Sequence, residues 1–177
     1  MKSRSGSGQA GRWSRRTKAI RWRGWMRPGT GSAVAEVKAE FQISDPVRVH
    51  LKDTPVMFMR ASADSSEAIQ QAWARFEAAV GLKGRRFFGS FDNSSREYRV
   101  CTELKEADDP RSLGCEAGTL PGGAYLRARL QGEPPAVYDQ IPAAVGKLLK
   151  RSVSDESRPT IEFYRSRNVI DVLLPIS

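Results

Sequence analysis

The sequence predicts an α+β domain with a mostly antiparallel sheet and two main helices. Three observations predict it. Short apolar runs alternate with period two along most of the chain after position 45. Two stretches switch to helical spacing. The order strand–helix–strand–strand then appears twice, the copies roughly 65–70 residues apart. Helices segregated from antiparallel strands define the class.

The elements follow in order. Val47–Leu51 (VRVHL) alternates as a half-buried strand, Asp53-Thr54-Pro55 reads as a turn, and Val56–Ala61 (VMFMRA) is a second strand. Asp64 with Glu67 fits a capping box, and Ile69, Ala72, Trp73, Phe76 and Val80 recur at the spacing of an amphipathic helix of about four turns. Gly81 and Gly84 bracket its end. Arg86–Phe91 is a strand, Asn93-Ser94-Ser95 a turn and Glu97–Leu104 a strand, followed by a polar loop over Lys105–Ala117. The second copy begins after Pro121-Gly122-Gly123 with the strand Ala124–Gln131. A helical stretch over Pro135–Lys150 carries Val137, Ile141, Ala144, Val145 and Leu148 on one side. Pro142 within it either kinks the helix or marks its start, with Ile141 first. Thr160–Arg165 and Val169–Ile176 complete the copy as strands.

With 177 residues, one domain with a sizeable core is expected. The formal charge of +9 suggests a nucleic-acid partner, but its location argues otherwise. Met1–Thr30 holds Lys2, Arg4, Arg12, Arg15, Arg16, Lys18, Arg21, Arg23 and Arg27 and no acid, which leaves as many basic as acidic residues in the remainder. The body is formally neutral, and nucleic-acid binding is expected only through the tail, if at all. That tail also holds Trp13, Trp22 and Trp25, and three readings stay open: a phosphate- and base-binding segment, a disordered extension, or a start codon placed too early with Met26 as the first residue. Residues 1–35 are read as tail and linker, and 45–177 as the folded domain.

Cys101 and Cys115 form no metal spacing with the single His50, so no metal or other cofactor is expected, and both are read as thiols. His50 alternates out of its strand toward solvent. No apolar run is long enough for a membrane span, and Arg15-Arg16 lacks the apolar segment of an export signal, so a cytoplasmic protein is expected.

Four phrases in fixed order carry a family resemblance: VRVHLKDTPVMFMRA, REYRVCTEL, PGGAYLRARLQGEPP and RPTIEFY…DVLLPI. From about Asp45 to Ser177, roughly three quarters of the length, the chain resembles the GyrI-like or AraC effector-binding family of small-molecule-binding domains, a group that includes the drug-sensing domains of BmrR-type multidrug regulators. The resemblance implies a tandem SHS2-type repeat with pseudo-twofold symmetry and an aromatic-lined cleft between the halves. It also implies a glutamate that meets cationic or polar ligands. The family's P-x-x-E-x-Y phrase falls on Glu162 and Tyr164. Two departures stand out: no helix-turn-helix segment precedes Val47, and the second helix has Ile141-Pro142 where an aromatic is frequent.

Alternation places Thr160, Glu162 and Tyr164 on one face of their strand and Ile161 and Phe163 on the other. The Ile/Phe face is expected against the helices, and the Glu/Tyr face toward the cleft. Leu126, Ala128 and Leu130 suit the helix side of their strand, leaving Tyr125, Arg127 and Arg129 opposite, while Tyr98 shares a face with Val100 and Thr102. A carboxylate among aromatic rings is poorly solvated, and a lipophilic cation would supply the missing charge and stack on the rings. The candidate ligand-binding residues are therefore Glu162, Tyr164, Tyr98, Phe88, Tyr125 and Trp73, with Trp73 alternatively a core residue. The competing expectation pairs Glu162 with Arg127, Arg129 or Arg99 across the sheet.

The expected function is a stand-alone binder of hydrophobic or cationic organic molecules, in sensing or sequestration, with the balance away from catalysis. The resemblance also implies two alternatives. One is hydrolysis of strained cyclopropane-bearing electrophiles, with Glu162 as base and Tyr98 or Tyr164 as donor. The other is a protein partner, DNA gyrase.

Overall fold

The computed structural model describes residues 41–177. The readings placed on residues 1–35, including the basic segment, the linker and the Met26 start, lie outside the described residues. In chain order the elements are β1 (Gln42–Ile43), β2 (Val47–Leu51), β3 (Thr54–Arg60), α1 (Ser66–Val80), β4 (Phe87–Asp92), β5 (Glu97–Glu103), β6 (Glu116–Leu120), β7 (Gly123–Gln131), a 3-10 turn (Tyr138–Gln140), α2 (Ile141–Leu149), β8 (Thr160–Ser166) and β9 (Val169–Pro175). The strands form one sheet in the order β1-β7-β9-β8-β4-β5-β3-β6, with β2 also paired to β7. Outward from the β4–β8 junction the order is β4-β5-β3 on one side and β8-β9-β7 on the other. The units β3-α1-β4-β5 and β7-α2-β8-β9 are thus topological equivalents about a pseudo-twofold axis, the α+β architecture expected.

α1 forms where apolar residues recur at helical spacing, and it buries Ala68, Ala72, Trp73 and Phe76. Its N-cap is Ser65, whose hydroxyl accepts the Ala68 N–H at 3.2 Å. The expected Asp64 cap is corrected: a cap oxygen must stand directly before the first helical residue to reach the third amide. Asp64, one position earlier, pairs instead with Arg96. The helical stretch over Pro135–Lys150 is also shorter than expected. Tyr138–Gln140 is a 3-10 turn, and α2 starts at Ile141 with Pro142 in its first turn, where no amide proton is required.

Two strands were not expected. β6 covers Glu116–Leu120, partly inside the stretch read as loop. Its sequence, EAGTL, has little strand propensity, and the pairing Thr54↔Leu120 to Phe58↔Glu116 along β3 holds it. β1 is two residues on the β7 edge, Gln42↔Gln131 and Ile43↔Leu130.

Two short connections shape the sheet. β2 lies beside β7 on one flank and β3 lies on the other, yet only Lys52 and Asp53 join them. Pro121 and Gly122 carry the chain back from β6 to β7 over the same gap. The two straps meet where the Asp53 carboxylate accepts the Gly122 N–H at 2.7 Å. A Cβ on Gly122 would stand 2.6 Å from the Leu51 carbonyl oxygen and 2.7 Å from the Asp53 nitrogen, so the crossing needs glycine. The sheet therefore curls, and its inner face gathers Val56 and Phe58 from one flank with Tyr125, Val49 and Leu51 from the other. Both helices lie on the outer face. α1 packs on β3 and β5 through Trp73 and Phe76 against Met57 and Val100. α2 packs on β7 and β9 through Ala144 and Leu148 against Leu130, Ile170 and Leu174. Cys101 and Cys115 are free and buried, and burial pushes the Cys101 thiol up to about 12. No described helix is long and apolar enough to cross a membrane.

The loop after β5 is tied down by one ion pair. The Arg85 guanidinium meets both oxygens of Asp108 at 2.9 and 2.6 Å, donates to the Val80 carbonyl at 3.0 Å, and is only 11% exposed against 9% for the aspartate. The Lys105 amide also donates to Asp108. These bonds hold the carboxyl down at about 2, against an ordinary 3.8. A carboxyl more acidic in the folded than in the unfolded state stabilises at neutral pH and loses that contribution as pH falls. Asp108→Asn is expected to cost about 3 kcal/mol at pH 7, as for other well-enclosed pairs that lose one partner. In urea unfolding, the difference from wild type should shrink as the pH is lowered from about 4 to 2. A gap that stays constant over that range would refute the assignment.

Candidate functional site

The two helices cover different strands, so the centre of the sheet, β4 and β8, forms the floor of a seam between them. Glu162 stands on that floor, opposite Gly89 of β4 and Val172 of β9. Period two puts Thr160, Glu162 and Tyr164 on one face, but that face is the helix-covered one. The Tyr164 ring lies 5.0 Å from Trp73 of α1 in an edge-on contact and 6.2 Å from Tyr138 before α2. The expectation that Ile161 and Phe163 meet the helices is corrected: both join the inner face, in the apolar cluster with Phe88, Tyr125 and Leu173.

Four candidate residues come together. Tyr98 and Tyr164 both donate hydroxyl protons to Glu162 Oε2, at 2.7 and 2.8 Å. Trp73 donates its indole N–H to the Tyr98 hydroxyl at 3.3 Å. Tyr98 comes from the first unit and Tyr164 from the second, so one carboxylate oxygen joins the two halves. Among the described residues Glu162 Oε1 accepts no hydrogen bond, and it is not fully buried. Burial pushes the Glu162 carboxyl up, partly offset by the two hydroxyls. Burial and the neighbouring carboxylate push both tyrosines well above 10, so they remain protonated donors.

The other two candidates lie elsewhere. Phe88 and Tyr125 project onto the inner face, Phe88 stacked on Phe163 at 4.8 Å and Tyr125 donating to the Pro121 carbonyl at 2.8 Å. Neither reaches Glu162, because the sheet separates them. The arginines proposed as its partners are also on that face. Arg99 pairs with Glu97, and Arg129 binds Asp171 at 2.7 and 3.0 Å. Among the described residues no basic side chain pairs with Glu162. His50 is exposed.

Two contributors went unrecognised in the sequence. Tyr138 closes the α2 side of the seam, and burial, with the charge of Glu77 adding, pushes its hydroxyl up to about 12. Gly89 makes the site geometrically possible. A Cβ there would fall 2.5 Å from Glu162 Oε2 and nearer still to the Tyr98 hydroxyl oxygen. The signal was present, since a glycine inside the strand RFFGSF marks close approach of a neighbouring group.

No protein-family model matches the chain, and no curated protein sequence matches it. Solved structures do. An integron cassette protein from the mobile metagenome of Vibrio cholerae, VCH_CASS2, aligns with TM-score 0.61 and 15% identity over 77% of this chain and 99% of its own. SAV2435 bound to tetraphenylphosphonium aligns with TM-score 0.53 and 14% identity over 78% and 94%. The EcmrR C-terminal domain aligns with TM-score 0.50 and 8% identity over 80% and 99%. At these identities the likeness is one of fold.

Gly89→Ala should drive Tyr98 and Glu162 apart and destabilise the protein by about 1–3 kcal/mol, the range for overpacking a close-packed site. Gly146→Ala in α2, where an added Cβ meets nothing within 4 Å, should instead stabilise by about 0.5–1 kcal/mol. Urea midpoints measured side by side test both signs.

Proposed function

We propose that this protein binds small hydrophobic organic cations in the seam between its two units, as a GyrI-like ligand-binding domain, and that Glu162 is the charge that selects them. One observation carries the reading. The Glu162 carboxylate sits among aromatic rings with two tyrosine hydroxyls on Oε2, an open Oε1 and no cationic partner among the described residues. Such a carboxylate is under-solvated, and a positive charge brought to Oε1 relieves it. A delocalised organic cation is weakly hydrated and stacks on aromatic faces such as those of Trp73, Tyr164 and Tyr138. SAV2435, which shares the fold, was solved with a cation of that kind, tetraphenylphosphonium, and this supports the same class of ligand here.

The open oxygen also favours a second reading. A carboxylate with a raised pKa, flanked by two protonated phenols, has the components of a general base beside hydrogen-bond donors. Hydrolysis of a strained electrophile held in the seam would use them. The two readings separate on turnover, which a binder never shows.

The test is calorimetric titration of tetraphenylphosphonium into wild type and Glu162→Gln. The variant should bind at least about tenfold more weakly, or about 1.4 kcal/mol. Because the carboxyl is raised, it takes up a proton at higher pH than an ordinary glutamate, so wild-type affinity should fall early on acidification. The ligand-free variant should melt at or above the wild-type temperature at pH 8, since it removes a poorly solvated charge. Equal affinities for wild type and variant would refute the role given to Glu162.

A further inference from the structure

We propose that the inner face of the curled sheet carries a second ligand site, for an organic anion with a flat apolar body. It lies on the side of the sheet opposite Glu162 and is independent of it. A groove of about 230 Å³ opens there, floored by Phe88, Ile161, Phe163 and Leu173 and rimmed by Lys52 and Arg127. It adjoins a larger groove of about 390 Å³ at Leu120 and Pro121. Phe88 and Phe163 stack with ring planes 21° apart, and the Arg165 guanidinium lies 4.7 Å over the Phe163 ring. The groove therefore sets a pair of stacked aromatic rings beside a guanidinium.

The charges decide the class of ligand. Both acids that line the groove are already engaged: Glu103 meets Arg86 at 2.7 Å, and Asp171 is held by Arg129 and Arg165. Arg127 is half-buried between Val47 and Leu173, yet its guanidinium makes no hydrogen bond or ion pair among the described residues. The Lys52 ammonium, exposed on the rim, is likewise unpaired among the described residues. A half-buried guanidinium without a counter-charge is costly, and its planar fork matches a carboxylate or sulfonate. The far groove is lined by Asp53, Asp92 and Glu97 with Arg99 as its one basic residue, a net negative wall that assigns the anionic head to the Arg127 end, with the apolar body beside Phe88 and Phe163 toward Leu120.

Fluorescence titration of the full chain with anilinonaphthalene sulfonate tests this. Wild type should bind it, Arg127→Met should weaken binding at least fivefold, and Lys52→Gln about twofold, as for an added rim charge. Arg75→Gln, a charge removed from the exposed side of α1, should leave affinity within twofold. Melting curves establish whether Arg127→Met folds, and if it does not, the exposed Lys52 variant against Arg75→Gln carries the comparison. Absence of binding by wild type, or losses no larger in the groove variants than in Arg75→Gln, would overturn the proposal.

Discussion

The shape of this protein depends on two straps of two residues each. Lys52–Asp53 and Pro121–Gly122 tie together flanks that would otherwise stand at opposite ends of a nine-stranded sheet. A sheet whose ends are held together must curl, and a curled sheet has two unlike faces. The inner face is enclosed by the sheet itself and takes apolar side chains from both flanks. Among the described residues two helices pack on the outer face, one for each repeat unit, and they meet over β4 and β8 at its centre. Site geometry follows from that arrangement. The pseudo-twofold axis passes through the strand pair where the two units meet.

At that seam the chain places a carboxylate, at a thermodynamic disadvantage. Burial disfavours its charge, and the two phenols recover only part of the cost. A structural ion pair would have been simpler, but the candidate arginines stand on the other face, with Arg99 held by Glu97 and Arg129 by Asp171. The alternation of β5, β7 and β8 enforces that segregation. Every arginine one position out of phase with Glu162 is a sheet thickness away from it.

Much of the fold was legible because its elements are strongly periodic. Alternation marked β2, β3, β5, β7, β8 and β9, and the Ile69–Val80 stripe marked α1. β6 was not legible because its residues do not favour strand, and backbone pairing along β3 holds it. The cap at Ser65 was misplaced by one residue because the serine and aspartate there both suit the role by type. Alternation also divided Glu162 and Tyr164 correctly from Ile161 and Phe163, but it does not say which side the helices cover. That depends on the direction of the curl, set by straps far from β8 in sequence. Phe88 and Tyr125 were grouped with Glu162 for the same reason. Gly89 was legible in principle, as the one residue in its strand without a side chain to pack.

Trp73 has a further consequence. It is the sole tryptophan after Trp25, and its indole N–H rests on the same tyrosine hydroxyl that holds Glu162. Any event that moves the Tyr98 hydroxyl changes the electrostatic environment of that indole. In a chain beginning at Met26, its tryptophan emission would arise from one position alone. The protein would then contain its own optical gauge of the carboxylate, readable without a label.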